Sequence, residues 1–540
     1  MKTCKYIMAV LLILINGIID LKAMPPHPDL VEKFREEGRY PELFKKTSSM
    51  HLKKRISTTK ASSISSGTVK IPVILVQYSS ASFNGASSAE FYSALLNGSS
   101  ASDISVRKYY SDMSNGKLIM QFDIYGPYTA SDTSAHYGEN DVNGNDKYPG
   151  QLVNEAVNGL IADKDSAVDF GIYDNDNNGT VDAVIVIHCG AGEETPAGGS
   201  NDIWSHQWDL AGANKIGDGD GTVEADDVLF NVYTIQPEFT ASAGDSTVGV
   251  FCHELGHVLG LQDLYDTTGA TNGVGNWSLM GNGSWGDDNK GTRPAPFLAW
   301  ERYKIGGPDW IALSEISKEI YIWKSDKWLN MLLMVILAVI SILPVYFLRL
   351  SPVFTGAAVS GGFFVMIAFL SCGSESSSIT RINGTINDVE VSHHAFRVTL
   401  NDPDNAQYLF IEGKKASDFT AEWYVPGTGI LITHIHEGVV SAYSDAGTIN
   451  NGTSRVHGVN IVEASEEEEP GRLWTNSSYY GTSADLFCLE NNDTFDDSTS
   501  PDARYYTGTG VLSKTGKSGV IIKDISSNTS FPMTFSAELD

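Results

Sequence analysis

Cysteine is scarce in this sequence, with five residues in 540, and Cys4 lies in the N-terminal apolar segment. So few cysteines exclude a fold that depends on a dense disulfide framework, although a Cys189–Cys252 bridge stays open. The nucleophile motif G-x-S-x-G is absent, and no cysteine stands in a catalytic signature. A serine or cysteine hydrolase therefore has no support.

Positive charge is also in short supply. There are 37 Lys and Arg residues against 66 Asp and Glu residues, which gives a formal net charge of −29 at pH 7. Such a field repels nucleic acids and anionic membranes, so we expect no nucleic-acid partner. Many acidic residues stand in clusters with Asn and Gly rather than on helix faces, and this pattern favours calcium binding.

The N-terminus has the pattern of a secretory signal peptide. Lys2 and Lys5 precede an apolar run, and the small residue Ala23 follows at a plausible cleavage point. We therefore expect residues 1–23 to be a signal peptide, with a buried N-terminal helix as the alternative. Residues 24–66 are polar and basic and end in a Ser/Thr-rich stretch, which predicts a propeptide or else a disordered spacer.

Strand and helix patterns alternate from residue 67 to residue 312. TVKIPVILVQY (68–78) predicts a strand, QLVNEAVNGLIADK (151–164) an amphipathic helix, and VDAVIVIH (181–188) a buried strand. This alternation predicts an α/β domain. Residues 379–540 instead hold short alternating strands separated by Gly, Asn and Asp turns, which predicts an all-β sandwich domain.

Two apolar runs of membrane-spanning length, residues 331–348 and 353–371, lie in the segment 325–373. They predict a hydrophobic hairpin of transmembrane helices, with membrane association through residues 331–371. The SCGSESSS that follows resembles a bacterial lipoprotein signal, in which Cys372 would be lipidated. A foreign insertion or a misjoined reading frame is the alternative.

The stretch FCHELGHVLGLQD (251–263) carries candidate metal ligands. In a helix, positions i and i+4 share a face, so His253 and His257 can present two imidazole nitrogens to one tetrahedral ion. Gly260 can end the helix in the left-handed conformation and return Asp263 to the same ion as a third ligand. Glu254 would then accept a proton from a metal-activated water. The alternative is a surface helix in which this glutamate makes a salt bridge.

The spacing HExxHxxGxxD resembles that of the metzincin zinc peptidases, whose second hallmark is a methionine turn beneath the metal. Met280, in NWSLMGNGSW, fills that place. With IWSHQWDL (203–210) and PPHPDLVEKF (25–34), these motifs resemble the immune inhibitor A family of secreted bacterial metalloproteases. Cys252, directly before the first histidine, and the hydrophobic hairpin depart from the family pattern.

This resemblance implies a fold and a set of roles. The fold would be an α/β (α+β) metzincin-like zinc peptidase domain over residues 67–312, followed by the β-sandwich. The implied site has zinc on His253, His257 and Asp263, the general base on Glu254, and the methionine turn at Met280.

YDNDNNGTVDAV (173–184) is a candidate calcium loop. Its oxygen-bearing side chains recur around Gly179, which permits a sharp turn, but the loop lacks the bidentate glutamate of a complete EF-hand loop. An Asx-rich turn without metal is the alternative. The candidate ligands here are Asp174, Asp176, Asn178 and Asp182. A second, weaker candidate loop (217–227) offers Asp218, Asp220 and Glu224.

Other histidines have open roles. His434 and His436 alternate on a predicted strand, where a surface pair is favoured over a second metal site. His206 could lie near the active cleft or be a satisfied loop histidine. Because no cysteine lies between residues 24 and 66, a zymogen could not use a cysteine switch, and His27 or Asp29 could ligate the metal instead.

Together these patterns predict a secreted, zinc-dependent endopeptidase made as a zymogen, with zinc and calcium as cofactors and proteins or peptides as substrates. A membrane-anchored protease stays open because of the hairpin. The competing hypothesis is a calcium-stabilised surface-binding protein with a catalytically silent protease fold.

Overall fold

The fold is described from a computed structural model of the 540-residue chain. The described residues are 22–45, 64–100, 103–142, 144–164, 167–242, 244–286, 289–316, 380–404, 406–416, 423–444, 447–465, 471–507, 514–529 and 531–539. The described residues up to 316 and those from 383 to 537 belong to one compact unit.

The helices and strands follow in chain order. The strands are β1 Lys22–Ala23, β2 Gly67–Gln77, β3 Leu118–Thr129, β4 Val184–Ala191, β5 His206–Asp209, β6 Val223–Ala225, β7 Val228–Phe230, β8 Val232–Phe239, β9 Ala312–Ile316, β10 Thr380–Ile386, β11 His394–Thr399, β12 Gln407–Lys414, β13 Gly429–His436, β14 Val459–Val462, β15 Phe495–Asp496, β16 Tyr505–Tyr506, β17 Lys514–Gly516, β18 Val520–Lys523 and β19 Met533–Leu539. The helices are α1 Pro28–Glu36, α2 Ala89–Asn97, α3 Val106–Met113, α4 Ser134–Gly138, α5 Pro149–Lys164, α6 Leu210–Lys215, α7 Val248–Val258, α8 Ala299–Gly306, α9 Val389–Ser392, α10 Glu437–Tyr443 and α11 Arg472–Thr475.

A six-stranded sheet organises the N-terminal part, in the order β1-β5-β8-β4-β2-β3. Strands β3, β2, β4 and β8 run parallel to one another. Strand β5 pairs antiparallel with β8, and β1 pairs antiparallel with β5. The central strands are continuous apolar runs because both faces of the sheet are covered. Helices alternate with these strands, so the predicted mixed α/β character of this region is confirmed.

Alternate residues of β2 enter two different hydrophobic cores. Val73 and Leu75 pack in the core that includes Leu255 of α7, while Ile74 and Val76 pack in the core that includes Leu152 of α5. This is the period of two expected for a strand, in which successive side chains point to opposite faces. Helix α7, which carries the candidate metal ligands, is therefore seated on one face of the sheet.

The C-terminal strands share a sheet and a core with the peptidase region. Strand β9 pairs in parallel with β11, within a five-stranded sheet of order β14-β13-β12-β11-β9. Strands β10, β19, β18 and β15 form a further four-stranded sheet in that order. One hydrophobic cluster includes both Leu255 of α7 and Leu431 of β13. A separate β-sandwich domain over 379–540 stays a prediction, as do the other predicted boundaries.

The N-terminal segment is held on the edge of the six-stranded sheet. Ala23 pairs with His206 of β5. Three side chains then donate hydrogen bonds to three consecutive carbonyl oxygens of this segment. The donors are Tyr265 Oη to Ala23, Trp204 Nε1 to Met24 and Trp285 Nε1 to Pro25, at 2.6, 2.9 and 3.1 Å. The region predicted as signal and propeptide is therefore in contact with the peptidase region from Lys22 onward.

The predicted transmembrane hairpin, residues 331–371, lies outside the described residues. Among the residues that are described, no helix is both long enough and apolar enough to cross a bilayer.

C-terminal residues hold the loop that follows Asp263. Asn450 Nδ2 donates to the carbonyl oxygen of Leu264 at 3.0 Å, and Trp277 Nε1 donates to Asp485 Oδ2 at 3.0 Å. Asn272 Nδ2 donates to the carbonyl oxygens of Tyr479 and Asn476, at 2.6 and 3.2 Å. This loop therefore has its conformation set by residues about 200 positions away in the sequence.

We expect Asn272→Ala to lower the free energy of unfolding by about 1–3 kcal/mol, because a buried side-chain amide that donates to two carbonyl oxygens is lost. Urea unfolding followed by fluorescence measures the change. The matched control is Asn276→Ala in the same loop, where the backbone N–H rather than the side chain donates to Tyr480. Equal losses in the two variants would contradict the assignment of the side-chain amide as the stabilising group.

Candidate metal centre

Helix α7 places two histidines on one buried face. All of its residues from Val248 to Val258 are buried, so its polar side chains are enclosed by protein rather than by solvent. His253 and His257 lie one turn apart, with ring centroids 4.6 Å from each other. The alternative of a surface helix is therefore wrong for this stretch, because the helix packs in the main core.

Three candidate ligand atoms converge at this face. His253 Nε2 lies 3.1 Å from His257 Nε2, and Asp263 Oδ1 lies 3.2 and 3.1 Å from these two nitrogens. Tetrahedral zinc with bonds of 2.0–2.1 Å keeps its ligand atoms about 3.3 Å apart. Within the described part of the chain, no other group of three or more His, Cys, Asp or Glu residues brings its ligand atoms within 4.8 Å. The residues present therefore fit a zinc ion.

Backbone carbonyls fix the orientation of both imidazole rings. His253 Nδ1 lies 2.9 Å from the carbonyl oxygen of Leu279, and His257 Nδ1 lies 3.0 Å from that of Leu261. A carbonyl oxygen can only accept, so each Nδ1 carries a proton, and in a neutral ring the lone pair is then on Nε2. Each Nε2 then directs a lone pair toward the third ligand, as a metal ligand requires.

The turn after α7 returns the chain to this point. Gly260 has a φ of 95°, in the left-handed region that favours glycine. The N–H of Leu261 donates to the carbonyl oxygen of Gly256, which closes the end of the helix. Asp263 follows two residues later with its side chain fully buried. The predicted helix end and return of this carboxylate agree with the observed chain path.

Met280 lies directly beneath the helix. A Cβ placed on Gly256 would come within 2.8 Å of Met280 Sδ, so a larger residue there would displace the methionine side chain from its present position. Met280 is fully buried, and its carbonyl oxygen accepts from the N–H of Leu264, one residue after Asp263. This hydrogen bond joins the start of the loop, just after the third candidate ligand, to its end at the methionine turn.

Glu254 is fully buried beside the first histidine. Tyr265, two residues beyond Asp263, lies beside the first histidine, with ring centroids 6.4 Å apart. The sequence motifs did not point to this residue. Burial raises the pKa of the Tyr265 hydroxyl well above its usual value, and the charges of Asp263 and Glu254 act in the same direction. Its position within LQDLYD was the available sequence signal, but only the fold shows that it donates to the carbonyl oxygen of Ala23.

The first calcium loop closes on itself through its own hydrogen bonds. Asp174 accepts from the N–H groups of Asn178 and Gly179, at 2.9 and 2.8 Å, and Asp176 accepts from that of Asn178 at 3.2 Å. Asp182 is buried and accepts from the backbone and side chain of Asn175. Burial raises the pKa of this carboxyl, with a further contribution from Asp176 and Asp174. Calcium at this loop stays a prediction.

The second calcium loop has a different bonding pattern. The carboxylate of Asp218 accepts from the N–H groups of Gly150 and Gln151, both at 2.9 Å, and so caps the start of α5. The N–H of Asp220 donates to Asn154, while the side chain of Glu224 is exposed on β6. Calcium binding here also stays a prediction.

The structure also locates the other histidines and the cysteine pair that were named from the sequence. His434 and His436 are only 2% and 5% exposed, so a surface pair is wrong; they lie on β13, which has a neighbouring strand on each side and is buried along its whole length. His206 is a satisfied histidine, bonded to Trp204 and Tyr233. His27 accepts from the N–H of Asp29 and caps α1. Both members of the Cys189–Cys252 pair are free thiols, so that bridge is absent.

Comparison with known proteins agrees with this geometry. Residues 77–311 match the family model described as the immune inhibitor A peptidase M6 catalytic domain. The chain is 34% identical over 234 residues to the pre-pro-metalloprotease PrtV of Vibrio cholerae serotype O1, an alignment that covers 40% of this chain and 25% of that protein. It is 31% identical over 245 residues to immune inhibitor A of Bacillus thuringiensis subsp. alesti, covering 39% of this chain and 34% of that protein.

The chain thus spans about a quarter to a third of the length of these curated relatives. The matched residues include the three candidate zinc ligands, together with Glu254 and Met280. The resemblance seen in the sequence motifs is confirmed: residues 77–311 are similar to the immune inhibitor A peptidase M6 catalytic domain.

Proposed function

We propose that this protein is a zinc-dependent endopeptidase that hydrolyses protein or peptide substrates. The observation that carries the proposal is the triangle of His253 Nε2, His257 Nε2 and Asp263 Oδ1, whose sides measure 3.1–3.2 Å. The relatives named as a metalloprotease and as immune inhibitor A support the same reaction class. A metzincin-like fold, with Met280 as its methionine turn, is part of the proposal.

Glu254 is the general base of the proposed reaction. Zinc, when bound at the three ligands, supplies a Lewis acid for the scissile carbonyl and makes a neighbouring water more acidic. Glu254, next to the first ligand on α7, accepts a proton from the attacking water and passes it to the leaving amine. Tyr265 keeps its hydroxyl proton and offers it to a peptide carbonyl oxygen in the cleft, as it does to Ala23.

We also propose that the N-terminal segment keeps the enzyme latent. The first residues of the predicted propeptide are already bound, since Trp204 Nε1 and Trp285 Nε1 donate to the carbonyl oxygens of Met24 and Pro25. Farther along, Arg35 Nη2 donates to the carbonyl oxygen of Ser477 and Tyr40 Oη to that of Gly269, at 3.1 and 2.8 Å. His27, one of the two residues offered by the sequence as a ligand in the zymogen, caps α1 through Nδ1.

The proposed site of action is outside the cell. The charged, apolar and small-residue pattern of residues 1–23 is that of a secretory signal, and the relative from Vibrio cholerae is named a pre-pro-protein. An exported zymogen would avoid hydrolysis of cellular proteins before its release.

The parent protein is expected to retain about one zinc ion per chain after dialysis against buffer without metal. In Asp263→Ala the zinc affinity should fall by at least about 100-fold. Residues that only hydrogen-bond to a metal ligand already contribute about 10- to 100-fold in affinity, and Asp263 is itself a proposed ligand. Metal analysis and chelator competition measure both. The exposed Asp309 provides the control, and Asp309→Ala should bind zinc like the parent. Zinc retained by Asp263→Ala would place the metal elsewhere.

The role of Glu254 is tested with Glu254→Gln, which keeps the size of the side chain and removes the proton acceptor. Casein hydrolysis by the proteolytically activated protein should fall by about 10²- to 10⁴-fold, with zinc content unchanged. The exposed Glu139 is the control, and Glu139→Gln should keep full activity. A parent that binds zinc and cleaves nothing would favour the silent, surface-binding alternative.

Latency is tested with a synthetic peptide of residues 24–45, the described part of the predicted propeptide that follows the signal peptide, which should inhibit the activated enzyme. Replacing both Arg35 with Ala and Tyr40 with Phe removes two hydrogen bonds to the enzyme, so the inhibition constant should rise by about tenfold. A Glu36→Ala peptide is the control, because Glu36 is exposed. If the parent peptide does not inhibit, the segment is not the latency element.

A further inference from the structure

The orientation of the first metal ligand depends on one carbonyl group of the methionine turn. His253 Nδ1 lies 2.9 Å from the carbonyl oxygen of Leu279, and this contact directs Nε2 toward the other two ligand atoms. Outer partners of this kind fix the ring orientation and the tautomer of a metal-bound histidine. The position of the Leu279 carbonyl therefore determines the orientation of the His253 ring.

Ser278 bonds to the peptide group that contains the Leu279 carbonyl. Its hydroxyl oxygen accepts from the N–H of Met280 at 3.0 Å, so the hydroxyl spans Leu279. The same hydroxyl lies 2.7 and 2.9 Å from the two carboxyl oxygens of Glu301. Both side chains are fully buried, so no solvent competes for these bonds.

Glu301 is in turn tied to the start of α8 and to a C-terminal strand. It accepts from the N–H of Leu298 at 2.6 Å, and the neighbouring N–H of Ala299 donates to Glu412 of β12 at 3.2 Å. Glu412 makes a buried ion pair with Lys414 at 2.9 Å. Burial raises the pKa of Glu301 to about 8. At neutral pH an uncharged glutamine is therefore a close replacement for this side chain.

We propose that Ser278 and Glu301 are positioning residues for the metal centre, which hold the Leu279 carbonyl and thereby the His253 ring. Neither residue touches the metal or the substrate. The inference rests on the proposed zinc site and adds to it a buried hydroxyl and a buried carboxyl that the motif HExxHxxGxxD does not contain.

The first test compares Ser278→Ala with Ser284→Ala in the full chain. Ser284 is a matched control because it is also fully buried and lies six residues on in the same loop, but its hydroxyl donates to the carbonyl oxygen of Gly281 within its own turn. Zinc affinity is measured by chelator competition, and the visible spectrum of the cobalt-substituted protein reports ligand geometry. We expect Ser278→Ala to lose about 10- to 100-fold in zinc affinity with an altered cobalt spectrum. Ser284→Ala should match the parent in both.

A second pair of variants tests the carboxyl group. Glu301→Gln keeps an oxygen acceptor for Ser278 and Leu298 and should bind zinc within about threefold of the parent, whereas Glu301→Ala should resemble Ser278→Ala. If Ser278→Ala does not fold, Ser278→Cys replaces it, because a thiol is a weak donor and acceptor of nearly the same shape.

The outcomes separate this inference from the proposed function. A parent chain that binds no zinc would overturn the zinc site itself. A parent that binds zinc while Ser278→Ala binds it equally well, or while Ser284→Ala loses as much affinity, would overturn only the positioning role. Loss in Ser278→Ala and Glu301→Ala, with Glu301→Gln and Ser284→Ala unaffected, is the result that the proposal requires.

Discussion

The convergence of two imidazole nitrogens and one carboxylate oxygen within 3.2 Å is the constraint on which the rest of the site depends. Both Nδ1 atoms donate to backbone carbonyls, so each neutral imidazole keeps its lone pair on the Nε2 atom that lies next to Asp263 Oδ1. Lone pairs at this separation repel each other in a buried site, and a cation between them removes the repulsion. The helix, its glycine turn and the loop beyond it all serve to maintain this arrangement.

The site is assembled from segments that are far apart in the sequence. Helix α7 supplies two ligands, but the loop that carries Asp263 and ends at Met280 is bonded to residues 450–485 through Asn450, Asn272 and Trp277. Methionine-turn and C-terminal residues meet again around Glu301. The C-terminal strands are therefore structural supports of the metal centre, whatever else they bind.

The local part of this site was predictable from the sequence, because i and i+4 on a helix share a face and glycine after it permits a left-handed turn. The alternating strands and helices before residue 312 were predictable for the same reason of periodicity. Tertiary hydrogen bonds such as Ser278 to Glu301 have no sequence period and could not be found this way. The surroundings of His434 were also misjudged, since a polar residue on a strand looks exposed until the neighbouring strands bury it.

The N-terminal segment is bound through its backbone rather than its side chains. Tyr265, Trp204 and Trp285 donate to the carbonyl oxygens of residues 23, 24 and 25, and every residue type has such an oxygen. The edge of β5 adds main-chain pairing to the same stretch. A cleft that holds an extended chain in this manner places few demands on its sequence. On the proposed function, the donors that bind the N-terminal segment are equally suited to bind an extended protein substrate once the segment has been removed.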